Sequence, residues 1–339
     1  MASTASETPS VSTALDASDW QSVIADAVRD ASELCRLLGL DVSLAAASSF
    51  PVLVPRTFLA RIRPGDPDDP LLRQVLPLAA EQDEVPGFHT DPLGEAAATV
   101  APGLLQKYPG RSLMVTTGAC GVHCRYCFRR HLRCRVPPPV EGNWRPAVDR
   151  IAADRSIHEV ILSGGDPLTL SDVQLCVLAD RLSQIPHLRR LRIHTRLPVA
   201  IPQRVGSGLM DWLRGSRLST IIVVQVNHPA EIDRATATAL GRLVDAGVPV
   251  LNQAVLLRGV NDHADVLAEL CERLVDLRVM PYYLHQLDPV SGASHFEVPE
   301  AKGIRLIDEL RRCLPGYAVP RYVREMPGGA SKAVICGPR

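Results

Sequence analysis

Short apolar, β-branched runs alternate along this chain with amphipathic stretches of helical length, and that alternation restricts the fold more than any other feature. The runs fall at 113–117, 159–163, 191–195, 220–226, 248–257 and 278–284; the amphipathic stretches lie near 145–154, 171–185, 203–214, 231–246, 262–276 and 299–313. Apolar residues recurring every three to four positions read as helix, and short β-branched runs bounded by turn residues read as strand. Ser171-Asp172-Val173-Gln174 is a capping box, and Gly247 after Ala246 is a helix stop. Six strand-then-helix units in succession predict a parallel sheet with right-handed crossovers. Periodicity alone does not separate a doubly wound sheet from a barrel. The chemically suggestive residues sit just after strands, where the βα loops of a barrel build its active face, so the expected fold is α/β, a partial (β/α)6 barrel.

Upstream the pattern is different. Residues 1–16 are rich in Ser, Thr and Ala and are expected to form a disordered tail. A helical and proline-rich arm is expected over 17–105, with one or two short helices between 19 and 40. The run Arg63-Pro64-Gly65-Asp66-Pro67-Asp68-Asp69-Pro70 holds neither helix nor central strand. The barrel is expected over 106–315 and a C-terminal segment over 316–339, with an extended stretch at 318–324 crossing near the open mouth.

Lys plus Arg and Asp plus Glu both number 37, so no excess charge favours nucleic acid or an anionic membrane as partner. No apolar run approaches the roughly 18 to 20 residues of a membrane span. The first basic residue is Arg29, which gives no export signal. Nine cysteines, an odd number scattered outside one cluster, make no disulfide framework and fit a reducing, cytoplasmic setting.

The cluster is Cys120-Gly121-Val122-His123-Cys124-Arg125-Tyr126-Cys127. Three thiolates in C-x3-C-x2-C spacing are one short of a closed zinc or electron-transfer site, and an iron-sulfur cluster so held keeps one iron open. A zinc loop, or three unrelated buried thiols, remain alternatives on spacing alone. The spacing resembles the signature of the radical S-adenosylmethionine (SAM) enzymes. Further motifs are Lys107-Tyr108-Pro109-Gly110-Arg111, Arg129-Arg130, Ser163-Gly164-Gly165-Asp166-Pro167, the stretch 252–262, Pro281-Tyr282-Tyr283-Leu284-His285-Gln286-Leu287-Asp288, His295-Phe296 and Pro327-Gly328-Gly329-Ala330-Ser331-Lys332. Together, from about Pro51 to Lys332, they resemble the lysine 2,3-aminomutase family, which couples radical SAM chemistry to pyridoxal 5′-phosphate (PLP). The likeness is greatest to the branch that makes (R)-β-lysine for attachment to translation elongation factor P.

The resemblance implies a radical SAM partial barrel and an isomerase converting L-α-lysine to (R)-β-lysine. It implies a 4Fe-4S cluster on Cys120, Cys124 and Cys127, and a Schiff base between PLP and Lys332. Lys107, Tyr108 and Arg111 match residues that hold the PLP phosphate, with lysine at 107 where relatives carry arginine. Gly164, Gly165, Asp166 and Gln253 match SAM contacts: the glycines for backbone approach, the acid for the SAM ammonium. Arg129 would pair with the substrate carboxylate. Asp288 would bind the distal ammonium together with Glu325, which stands where the lysine enzymes carry a second aspartate. Without that cation, repulsion between the two acids would raise one pKa. Cys336 stands alone and His263 lies where relatives place a zinc cysteine, so no structural zinc is expected. Implied partners are L-lysine, an electron donor such as flavodoxin or ferredoxin, and an elongation factor P lysyl-transferase. Two rival readings are an aminomutase for another amino acid, such as glutamate, and a non-catalytic zinc or iron-sulfur module.

Overall fold

The structure, a computed structural model, describes residues 19–131 and 143–337. The tail expected at 1–16 and Cys134 lie outside the described residues. Ten strands form one sheet in sequence order: β1 (Thr99–Ala101), β2 (Leu104–Tyr108), β3 (Arg111–Thr117), β4 (Glu159–Gly164), β5 (Arg190–Thr195), β6 (Ser219–Val224), β7 (Val250–Val255), β8 (Met280–His285), β9 (Arg321–Arg324) and β10 (Ala333–Val334). From β3 to β9 every pairing is parallel. β1 and β2 extend one edge, and β10 the other, by antiparallel pairing.

The six expected strands are therefore present, and a seventh parallel strand joins them. The stretch at 318–324 does not merely cross the mouth: β9 pairs with β8, Tyr283 opposite Arg321. Two arm helices, α1 (Trp20–Ala25) and α2 (Ala31–Leu37), precede the sheet. The outer layer is α3 (Arg145–Ala153), α4 (Asp172–Ser183), α5 (Ser207–Gly215), α6 (Arg234–Asp245), α7 (Ala264–Asp276) and α8 (Glu300–Cys313). The capping box opens α4: Gln174 N donates to Ser171 Oγ at 3.3 Å and Ser171 N to Gln174 Oε1 at 3.0 Å. Gly247, at φ 79°, follows α6 in the left-handed conformation that a side chain disfavours.

Alternate residues of the strands face opposite ways. Val160 and Leu162 of β4, Leu191 and Ile193 of β5, and Ile222 and Val224 of β6 pack outward against Leu178 and Leu182 of α4, Leu209 of α5 and Leu240 and Leu243 of α6. Their alternates Ile161, Ser163, Arg192 and His194 line an interior cavity. A flat sheet would separate β2 from β9 by seven strand spacings, roughly 34 Å. Lys107 of β2 nevertheless sits 3.1 Å from Glu325, one residue past β9. The sheet is curled into a partial barrel with its edges brought face to face.

The arm packs on the barrel through a second core, in which Val28, Leu34, Val54, Phe58, Leu72 and Val75 meet Val122 of the cysteine loop and Ile201. Arg63 to Asp69 is irregular, as its prolines require. Pro70 instead opens a single helical turn, Pro70–Arg73, capped by Asp69, whose Oδ1 accepts from Leu71 N and Leu72 N. No helix among the described residues is long and apolar enough to cross a membrane.

Candidate active site

A cavity of about 580 Å³ opens at the C-terminal ends of the parallel strands. Cys120, Cys124, Cys127 and Arg129 reach it from the loop after β3, Gly164, Gly165 and Asp166 from the end of β4, and Gln253 from β7. Asp288 follows β8, Glu325 and Lys332 follow β9, and Lys107, Tyr108 and Arg111 enter from β2 and β3. Every residue assigned a role from the sequence thus lines one space.

The cysteine loop is held from both sides. Gly165 N donates to Thr117 O at 2.8 Å and Asp166 N to Ala119 O at 2.7 Å. A Cβ at Gly165 would stand 2.0 Å from Ala119 O, so the approach of the cysteine loop by itself requires the glycine. From the arm, Gln74 O accepts from Arg125 N at 2.8 Å, and Leu53 O accepts from His123 N at 2.9 Å. The Arg125 side chain is fully buried; it donates to Glu81, to Ser48 Oγ at 2.7 Å and to Phe50 O at 2.9 Å. Glu81 also takes Arg130 at 2.6 Å. Burial opposes its ionisation, but these two guanidinium groups outweigh it and lower its pKa. The Cys127 thiol is pushed up to about 11 by burial and by Cys124. Among the described residues no three His, Cys, Asp or Glu side chains are grouped to hold a single metal ion. A four-iron cluster needs no such grouping, because each cysteine goes to a different iron.

Asp166 has another task than the one expected. Its Oδ1 accepts from Leu168 N at 3.0 Å and Thr195 Oγ1 at 2.7 Å, and its Oδ2 from Arg196 N at 2.7 Å and Leu197 N at 3.1 Å. Those four donors fill a carboxylate's capacity, so this side chain ties β4 to the turn after β5 and has no site left for an ammonium. Arg196 went unnoticed in the sequence. Buried, it donates to Cys124 Sγ at 2.6 Å, Gln74 Oε1 at 2.8 Å, Glu231 Oε2 at 2.9 Å and the Tyr126 hydroxyl. It lies 72 residues from Cys124, just past the strand read at 191–195.

The charged residues form a series. Arg129 meets Glu95 with two parallel bonds, Nε to Oε2 at 2.9 Å and Nη2 to Oε1 at 2.8 Å, and donates from Nη1 to Ser163 Oγ at 2.7 Å. Glu95, also missed in the sequence, is 3.4 Å from Lys107 Nζ. Lys107 reaches Glu325 Oε1 at 3.1 Å, and the Lys332 amine donates to Glu325 Oε2. Burial raises the pKa of Glu325, but Lys332 and Lys107 overcome it and bring the carboxyl down to about 2. Asp288 moves the other way, to about 7, first through burial and then through the charge of Glu325. The repulsion expected between the two acids is thus only the second cause of this rise, after burial. Glu325 itself is turned to two lysines.

Tyr108 Oη is buried and completes no hydrogen bond; burial first and then the nearby Glu325 carboxylate push its pKa up, and the Arg111 guanidinium lies over its ring at 4.6 Å with no acceptor among the described residues. His194 and His285 also face the cavity; burial first, then neighbouring cations, keep both imidazoles neutral, His285 at about 3.

A partial barrel that presents three cysteines and a half-buried lysine amine to one cavity defines a class of enzyme built to hold an inorganic cluster and a carbonyl cofactor together. No family model matches the chain. L-lysine 2,3-aminomutase of Escherichia coli (strain K12) is 46% identical over 323 residues, covering 94% of both chains. L-lysine 2,3-aminomutase of Haemophilus influenzae is 43% identical, covering 93% of this chain and 95% of that one. A solved radical SAM methyltransferase from Sphaerobacter thermophilus overlays with a TM-score of 0.45 at 19% identity, covering 65% and 68%, a likeness too distant to carry weight. The chain belongs to the L-lysine 2,3-aminomutase family.

Proposed function

We propose that this protein is a radical SAM, PLP-dependent isomerase that moves the amino group of L-lysine from Cα to Cβ. The observation that carries the reading is the shared cavity: the Lys332 amine and the three cysteines line one space. The residues present fit the cofactors. Cys120, Cys124 and Cys127 supply three sulfurs on one pinned loop, and the turn at Gly164 and Gly165 lies against that loop, where SAM would reach an open iron. Lys332 supplies the amine for PLP. The orphan Tyr108 hydroxyl and the unpaired Arg111 are the donors a phosphate dianion requires. When bound, the cluster with SAM supplies hydrogen abstraction, and PLP supplies electrophilic activation of the migrating amino group.

The chain's own groups then bind and orient. Arg129, held by Glu95, Ser163 and the Gly164 carbonyl, keeps one N–H on Nη2 for the substrate carboxylate. Asp288 offers its carboxylate to the distal ammonium. Following the sequence resemblance, the enzyme is cytoplasmic, its reductant is a flavodoxin or ferredoxin, and the (R)-β-lysine passes to an elongation factor P lysyl-transferase. The test is anaerobic reconstitution with iron, sulfide, PLP, SAM and dithionite, followed by chiral chromatography. L-lysine gives (R)-β-lysine and L-glutamate is inert; turnover of glutamate, or none of lysine, contradicts the reading.

A further inference from the structure

Lys107 is engaged in a way that leaves little of it for a phosphate. Its ammonium bridges two carboxylates, Glu325 at 3.1 Å and Glu95 at 3.4 Å, and its side chain is 17% exposed. Each carboxylate has a second cation: Arg129 on Glu95, and Lys332 on Glu325. The result is an unbroken alternation, Arg129, Glu95, Lys107, Glu325, Lys332, that runs across the gap between the sheet's two edges. A phosphate dianion brought to Lys107 would meet both acids at close range in a low-dielectric site, where repulsion between like charges is strong. The two neighbouring donors differ. Tyr108 Oη completes no hydrogen bond, although it too feels the charge of Glu325, and the guanidinium of Arg111 has no acceptor among the described residues.

We propose that Lys107 is a positioning residue of the substrate end, tying Glu325 to Glu95, and that the cofactor phosphate is held by Tyr108 and Arg111 without it. Lys107 and Lys332 are the two cations that keep Glu325 ionised. When Lys332 is engaged by the cofactor, Lys107 remains as the fixed partner. It holds the Glu325 carboxylate toward the sheet edge and leaves Asp288 as the acid that receives the distal ammonium of the substrate. The inference rests on the aminomutase reading and assigns a residue within it.

The experiment compares equilibrium dissociation constants of PLP and of pyridoxal, which lacks the phosphate, by absorbance on the full-length wild-type protein and on K107M, K107R and R111M. The ratio of the pyridoxal constant to the PLP constant reports phosphate recognition alone. Losing a charge-assisted bond reduces that ratio on the order of 10- to 100-fold in R111M. In K107M the ratio stays within about threefold of wild type. The KM for L-lysine rises in K107M and recovers in K107R, which keeps the bridging charge. K107Q serves in the same comparison if the methionine variant does not fold. Collapse of the ratio in K107M or K107Q to the level of R111M overturns the proposal. Failure of the wild-type protein to bind PLP is a different result: it removes the aminomutase reading and this assignment with it.

Discussion

Asp288 and Glu325 share a cavity and a charge, yet their pKa values move in opposite directions. Burial acts on both, but Lys332 and Lys107 compensate it fully only at Glu325, at about 2, whereas Asp288 stays at about 7. Only the ionised Asp288 attracts an ammonium, so lysine affinity is expected to increase as pH rises through about 7 and to level off above it. D288N should raise the KM for lysine roughly 10- to 100-fold and abolish that step; a wild-type KM without pH dependence in this window would contradict the assignment. Stability carries the opposite sign. A carboxyl whose pKa is raised on folding favours the folded state when protonated, so its contribution is present below about pH 4 and is lost as pH rises through about 7. Thermal melts of the cofactor-free protein should show that decline, and D288N should flatten it. Glu325 contributes in the reverse sense, losing its stabilisation as pH falls from about 4.5 toward 2.

At the level of elements, the cysteine loop depends on neighbours distant in sequence. Glu81 is 3% exposed and accepts from both Arg125 and Arg130, so E81A strands two buried cations. Breaking such a pair costs about 3–5 kcal/mol. The variant should melt lower and hold less iron per chain after reconstitution; unchanged iron content would show that the loop does not need this staple. G165A attacks from the other side. Its Cβ would overlap Ala119 O, forcing β4 and the loop apart, an overpacking cost of about 1–3 kcal/mol with a loss of bound iron. The sequence made the cysteines and both glycines legible as a motif, because their spacing is local. It could not show that Gly165 serves the loop, or that the Asp166 carboxylate is consumed by Thr195 and the backbone of Arg196 and Leu197. Those contacts form only when β4 and β5 lie side by side.

The same distinction holds for the whole molecule. Six strands and their helices could be read from periodicity because each is long enough to repeat its pattern. β1 and β10 are too short for that, and β9, legible only as an extended stretch, joins the sheet because β8 pairs with it. Lys107 and Glu325 were each visible as site residues, but their contact, 218 positions apart, requires the sheet to curl. Glu95 and Arg196 lie where no periodic signal marks them, and only the folded barrel gives them partners. That curl is what sets the three sulfurs and the Lys332 amine around one cavity, and isotope transfer tests its proposed use most directly. Reconstituted enzyme is incubated anaerobically with SAM and L-lysine deuterated at Cβ, and the recovered SAM is analysed by mass spectrometry. Deuterium in the 5′-methylene group, at a level that grows with turnover, is the predicted result. β-Lysine formed without any label in SAM, or SAM cleaved without β-lysine, would contradict a single cavity serving both cofactors.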